Sequence, residues 1–337
     1  MMDWLRRKPA GDAPVDQDFE PGPIEPAALD EIRRRFPMPK FFIYGYPRSG
    51  TTLLMRLVRL HPEVHCNRQA HLFTYPRSAA QALSDREIRD WLERGSNRWT
   101  SGKRLESSLI RVAADFILER EASELGKRVV GDKSPTVIGG LAVRRLHAVY
   151  PDARLIYLVR DGRDSAVSRR FQLFIDQPQN MARTDRRIKE DLTKNGQKYS
   201  AAGKSVFTPA FLLEEASSWA ANLLEVDQEG RELFPDAYLP LRYEDLLSDP
   251  PREMRRVWDF LGVPASFPGD EGLIRGKMDY NPGAEDQARK GDALVENLKR
   301  GSRGGWQDWF TPRDREIFKD AAGAALIRWG YEKDPRW

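Results

Sequence analysis

Short apolar runs and longer amphipathic stretches alternate along most of this chain. Phe41-Phe42-Ile43-Tyr44 is apolar throughout, and so is Leu155-Ile156-Tyr157-Leu158-Val159. Uninterrupted runs of this length are expected of strands buried on both faces. Val129-Val130 and Tyr238-Leu239-Pro240-Leu241-Arg242 supply two more. Helical patterns fall between and after them, at residues 51–60, 138–149, from about 163, 251–261 and 313–329, and a short helix at 28–36 precedes them. The alternation predicts an α/β fold, with a central parallel β-sheet flanked on both faces by helices.

Three stretches stand apart from that alternation. Residues 1–28 are rich in Pro, Asp and Glu and are expected to form an N-terminal arm, flexible or draped over the body, which leaves 29–337 as a single domain. Residues 68–127 are polar and largely helical, and 172–210 are basic. Insertions of this kind lie outside strand ends and build lids and acceptor pockets, so Trp91, Trp99 and Phe207 are the expected wall residues.

Composition narrows the function classes. The 55 Lys and Arg nearly balance the 51 Asp and Glu, and a net charge of +4 gives no ground to expect a nucleic-acid partner. Cys66 is the only cysteine, which excludes an intrachain disulfide and a thiolate metal cluster. No segment approaches the roughly 18 consecutive apolar residues of a membrane helix, and Met1 to Lys8 is charged with no apolar stretch behind it. A cytoplasmic protein without a membrane span is expected.

The chemistry begins at Tyr44-Gly45-Tyr46-Pro47-Arg48-Ser49-Gly50-Thr51-Thr52, between the first strand and the helix after it. Gly45 and Gly50, with four residues between them, let the backbone turn so that successive N–H groups point at one anion. The helix start adds its positive dipole end, Arg48 a fixed charge and the threonines two hydroxyls. A nucleoside-triphosphatase loop of the form G-x-x-x-x-G-K-[ST] needs lysine where this chain has Thr51, so the loop suits one phosphate better than three.

Two later segments extend the pattern. Arg160 ends the strongest strand, and Ser168 follows it by eight residues on the next helix, so guanidinium and hydroxyl can grip a second phosphate. An alternative stays open there: Arg160, Asp161, Arg163 and Asp164 could simply pair with one another. Near the end lies Lys299-Arg300-Gly301-Ser302-Arg303-Gly304-Gly305-Trp306, followed by Phe310-Thr311.

Together these segments resemble the PAPS-dependent sulfotransferases (PAPS is 3′-phosphoadenosine 5′-phosphosulfate), and the resemblance runs from about residue 40 to 331. It implies the P-loop-like sulfotransferase fold, with PAPS as co-substrate and no metal. By the same resemblance Arg48, Ser49, Gly50, Thr51 and Thr52 hold the 5′-phosphosulfate. Arg160 and Ser168 hold the 3′-phosphate, Tyr243 lies near the adenine, and Lys299, Arg300 and Gly301 close over the nucleotide. The basic pair Lys299-Arg300 stands in swapped order, and Gly305 and Gln307 depart from the commonest residues.

Sulfuryl transfer asks for in-line attack and for cations where charge builds on the leaving phosphate. Arg48 fits that need, and Lys133, in Asp132-Lys133-Ser134-Pro135, is expected beside the sulfo group. Many relatives place a glutamate base where this chain has Gln69, which takes up no proton at neutral pH. His71 is then the leading base, with His65 and Asp132 behind it. The acceptor is expected to be a small molecule, carbohydrate or lipid offering a hydroxyl or amine. A nucleotide-binding protein of altered activity and a P-loop nucleotide kinase remain alternatives.

Overall fold

The computed structural model describes residues 20–75, 105–201, 203–279 and 304–337. Five parallel strands form one sheet: β1 Lys40–Tyr44, β2 Val64–Arg68, β3 Val129–Lys133, β4 Arg154–Val159 and β5 Tyr238–Arg242, in the order β2-β3-β1-β4-β5. The helices are α1 Pro26–Arg35, α2 Thr51–Val58, α3 Glu106–Glu124, α4 Gly140–Val149, α5 Gly162–Asp176 and α6 Arg183–Lys194. After these come α7 Pro209–Leu233, α8 Tyr243–Ser248, α9 Pro250–Phe260, α10 Asp270–Asp279 and α11 Pro312–Arg328.

The expected α/β architecture is present, with one more strand than the apolar runs indicated. β2 was missed because it lies at the sheet edge: Asn67 is half-buried and Arg68 exposed, so the run Val-His-Cys-Asn-Arg carries no apolar signal. The central strands do carry one. Successive side chains point to opposite faces, and here both faces are covered. Phe42, Tyr44, Leu155 and Tyr157 pack into a core with α4, α5 and α7. Phe41, Ile43, Ile156 and Leu158 pack with α2 and α9 on the other side. Trp219 on α7 and Trp258 on α9 are the largest fully buried side chains among the described residues, one in each layer.

From β1 the chain moves to one side for β2 and β3, and to the other for β4 and β5. Connections therefore diverge above the C-terminal end of β1, which is where open α/β sheets bind ligands.

One expectation is narrowed and another needs revising. Of the arm, residues 20–25 lie against the body: the Ile24 amide donates to Ala148 O at 2.8 Å and Ser107 Oγ donates to Gly22 O. Ile24 also packs with Leu29 and Ile32. Phe207 was expected to line an acceptor pocket. It is instead 2% exposed, stacked on Phe211 and edge-on to Phe310. Trp91, Trp99, Lys299, Arg300 and Gly301 lie outside the described residues.

Candidate active site

The loop after β1 turns tightly: both the amide and the hydroxyl of Ser49 donate to Tyr46 O, at 3.1 and 2.6 Å. Gly50 then caps α2 in the left-handed region, with φ 93°. The first amides of a helix have no intrahelical acceptor, so the start of α2 presents donors along the loop's inner rim. Tyr243, first residue of α8, lays its ring against Gly50, where a Cβ would collide with it.

The loop after β4 meets this one directly. Arg48 Nε donates to Ser168 Oγ at 3.0 Å, and Arg160 Nη1 donates to Arg48 O at 3.0 Å. The Arg160 guanidinium also lies over the Tyr243 ring, 4.9 Å from its centre. Arg48, Gly50, Arg160, Ser168 and Tyr243 thus form one cluster, although their chain positions span almost 200 residues. The close fit beneath it depends on Gly162. Trp219 donates from Nε1 to Arg160 O at 3.2 Å, and its ring occupies the space that a side chain at 162 would need.

The charged residues beside Arg160 divide their tasks. Asp161 caps α5 and pairs with Arg163 at 2.8 Å, as the pairing alternative anticipated, but the pair is buried. Asp164 does something else: it accepts the amides of Gly304 and Trp306, at 2.8 and 2.9 Å, and so anchors the segment following residue 303. Burial pushes the Asp164 carboxyl up to about 6, against the opposing pull of Arg160. Glu215 on α7 is a second buried strut. It accepts from Tyr46 Oη at 3.2 Å and from Arg169 Nε at 2.7 Å, joining the first loop to α5. Sequence reasoning missed Glu215, and it offered no motif to find it by.

The third part lies at the end of β3. Lys133 is 1% exposed and donates from Nζ to Thr52 Oγ1 at 3.3 Å. Burial, and then the nearby charge of Arg68, push its ammonium down to about 8. The Gln69 amide donates to Lys133 O at 2.8 Å, and the His71 amide donates to Ser134 Oγ at 3.0 Å. Both oxygens of Asp132 are engaged, one by the Ala70 amide at 3.0 Å and one by Ser134 Oγ at 2.5 Å. Asp132 therefore holds this loop in shape. His65 sits near the start of β2, at the other end of the strand, paired with Glu121 at 3.5 Å.

His71 is half-buried, its Nδ1 2.9 Å from Thr74 Oγ1 and its ring edge-on to Tyr75. Burial, then the charge of Lys133, lower its pKa below the usual imidazole value, which leaves it neutral at pH 7. Among the described residues Arg48, Gln69 and His71 are the non-glycine positions with positive φ, at 74°, 58° and 50°. Each such position costs about 1–2 kcal/mol. Strain of this kind collects where geometry serves a site, and all three residues were singled out from the sequence.

Residues 39–267 match the sequence profile of the sulfotransferase family. The chain belongs to that family. The expectation of a PAPS-dependent sulfotransferase, an enzyme, is borne out by this match. Among curated sulfotransferases, the chain is 26% identical over 310 residues to protein-tyrosine sulfotransferase 2 of Gallus gallus, covering 90% of this chain and 72% of that one. It is 28% identical over 232 residues to protein-tyrosine sulfotransferase 1 of Danio rerio, covering 67% and 54%. The chain thus spans about half to three quarters of the length of these relatives. A solved sulfotransferase, mouse SULT7A1 complexed with PAP, aligns at 17% identity over 86% of this chain and 85% of that one, with a TM-score of 0.46. No helix among the described residues is long and apolar enough to cross a membrane.

Proposed function

We propose that this sulfotransferase moves a sulfo group from PAPS to a hydroxyl, releasing adenosine 3′,5′-bisphosphate (PAP). The observation that carries the reading is the hydrogen-bonded set Arg160–Arg48–Ser168, which joins two anion-binding loops with Tyr243 at their junction. A nucleotide with one phosphate at each loop fits that arrangement. PAPS, when bound, supplies an electrophilic sulfo group on a phosphate leaving group.

The chain's residues then have distinct tasks. Ser49, Gly50, Thr51 and Thr52 cradle the 5′ end with amides and hydroxyls. Arg160 and Ser168 take the 3′-phosphate, joined by Lys299, Arg300 and Gly301. Arg48 and Lys133 stabilise charge as the S–O bond to the leaving phosphate breaks. In the tautomer that donates from Nδ1 to Thr74, His71 offers Nε2 to the acceptor hydroxyl, whose oxygen bonds to sulfur as its proton passes to the ring. Gln69, exposed and held at Lys133 O, orients the acceptor without taking its proton.

The test is transfer from radiolabelled PAPS to a panel of acceptors. The names of the relatives put a tyrosyl hydroxyl first, with sugars, lipids and amines as further arms. Label on at least one acceptor is expected. PAP binding with no transfer to any of them would replace this reading by a second one, a nucleotide-binding protein without turnover, which Gln69 in the base position favours.

Two narrower outcomes are expected. His71→Ala lowers turnover about a hundredfold, the usual size of a general-base effect, with PAP affinity unchanged. Near-normal turnover in that variant removes His71 as the base. The second concerns pH. An anion binds the protonated form of Lys133 better, so its pKa rises on binding from about 8 in the free protein. PAP affinity is therefore full below pH 8 and weakens above it, by at most roughly tenfold per pH unit. Titration calorimetry should show this slope in the wild type and a flat profile in Lys133→Met; equal slopes would remove Lys133 from the nucleotide site.

A further inference from the structure

The segment that follows α11 takes no part in the chemistry above, yet it is bound to the turn that carries Arg160. Arg163, in the first turn of α5, is 2% exposed. Its guanidinium is bonded in plane to Asp161, at 2.8 Å from Nη2 and 3.0 Å from Nε, and to Glu332 through Nη1. The carbon of the same group lies over two indole rings, Trp306 at 4.0 Å and Trp337 at 4.5 Å from the ring centres. Those two rings also meet edge-on, with centres 6.0 Å apart.

A second link runs in parallel. Tyr331 Oη donates to Glu244 Oε2 at 2.9 Å, and Glu244 Oε1 accepts the Asp161 amide at 3.0 Å. Both polar atoms of the Arg160–Asp161 peptide are thus held. Trp219 holds the Arg160 carbonyl, and Glu244 holds the Asp161 amide. A buried guanidinium with two carboxylates and two aromatic faces is a demanding arrangement, because each partner must be kept out of water in one geometry. Such a group is a weak source of net stability and a strong source of orientation.

We propose that residues 331–337 act as a clamp that positions Arg160 for the 3′-phosphate, with Trp337, Glu332 and Tyr331 as positioning residues working through Arg163 and Glu244. The proposal rests on the PAPS reading above. Its consequence is selective. The clamp bonds the turn after β4 and reaches the loop after β1 only through Arg160, whose Nη1 donates to Arg48 O, so its effect on the 3′-phosphate should exceed its effect on the 5′ end. A displacement of about 1 Å in a positioned charge is enough to lose affinity or rate by an order of magnitude or more.

The experiment compares binding of PAP and of 5′-AMP, which lacks the 3′-phosphate, to the full chain by titration calorimetry. The wild type is expected to prefer PAP at least tenfold. Trp337→Ala should shrink that preference about tenfold while 5′-AMP affinity moves less than twofold. Arg163→Lys, which keeps the charge but loses the fork and the stacked faces, should do the same and serves if the first variant fails to fold. A merely structural role would lower both affinities together, and that result overturns the clamp. So does a wild-type preference that neither variant changes. A wild type with no preference for PAP overturns the 3′-phosphate assignment itself, and the clamp with it.

Discussion

Arg48→Ala is expected to cut sulfo transfer about a thousandfold at saturating PAPS, the scale on which a preorganised cation stabilises a departing phosphate. The side chain is exposed, but two contacts fix where it sits: Nε donates to Ser168, and the residue's own carbonyl accepts from Arg160. Its backbone is held at φ 74°, so the guanidinium is aimed before any ligand arrives. Such an arrangement acts on the transition state more than on the ground state. PAP affinity should therefore fall only about tenfold, while kcat carries the full thousandfold loss. The measurement is the split between kcat and Kd in Arg48→Ala, with Arg48→Lys beside it. A kcat within tenfold of the wild type would show that charge on the leaving group is met elsewhere.

Gly50→Ala should lower transfer about as far by a different route. At φ 93° an alanine carries a left-handed penalty of about 1–2 kcal/mol. Its methyl would also drive into the Tyr243 ring, and overpacking of that kind costs about 1–3 kcal/mol. Relief by moving Tyr243 pulls the ring from under Arg160, and relief by moving the loop turns the α2 amides off the phosphate. Binding and turnover should fall together, with a thermal midpoint several degrees below the wild type. Wild-type PAP affinity in Gly50→Ala would mean that the ring and loop are not coupled as drawn here. Tyr243→Ala in the Gly50→Ala background should recover part of the lost stability, since it empties the contested space.

The fold was legible where burial writes a pattern into the chain. β1 and β4, covered on both faces, show it in full, and β2, where His65, Asn67 and Arg68 interrupt the apolar residues, shows none. The first loop was legible because glycine spacing, a strand before and a helix after are local facts. Asp164 and Glu215 were not, because their work is defined by partners remote in the chain, Gly304 and Trp306 for one and Tyr46 for the other. Phe207 failed as a wall residue for a related reason: an aromatic in a basic stretch reads the same whether it faces a cavity or, as here, Phe310 and Phe211. The absence of lysine at Thr51 was the most useful single residue, since it set a triphosphate aside before any geometry was known.

The left-handed backbones at Arg48, Gln69 and His71 bear on how this enzyme would respond to selection for hardiness. Glycine or asparagine relaxes such a position, so a search for heat-tolerant variants would be drawn to these three sites first. Each gain there would loosen the loop after β1 or the loop after β2. Heat tolerance and turnover are set against each other at the same few peptide units, and a sturdier enzyme is better sought in those parts of the two buried cores that lie away from the end of β1.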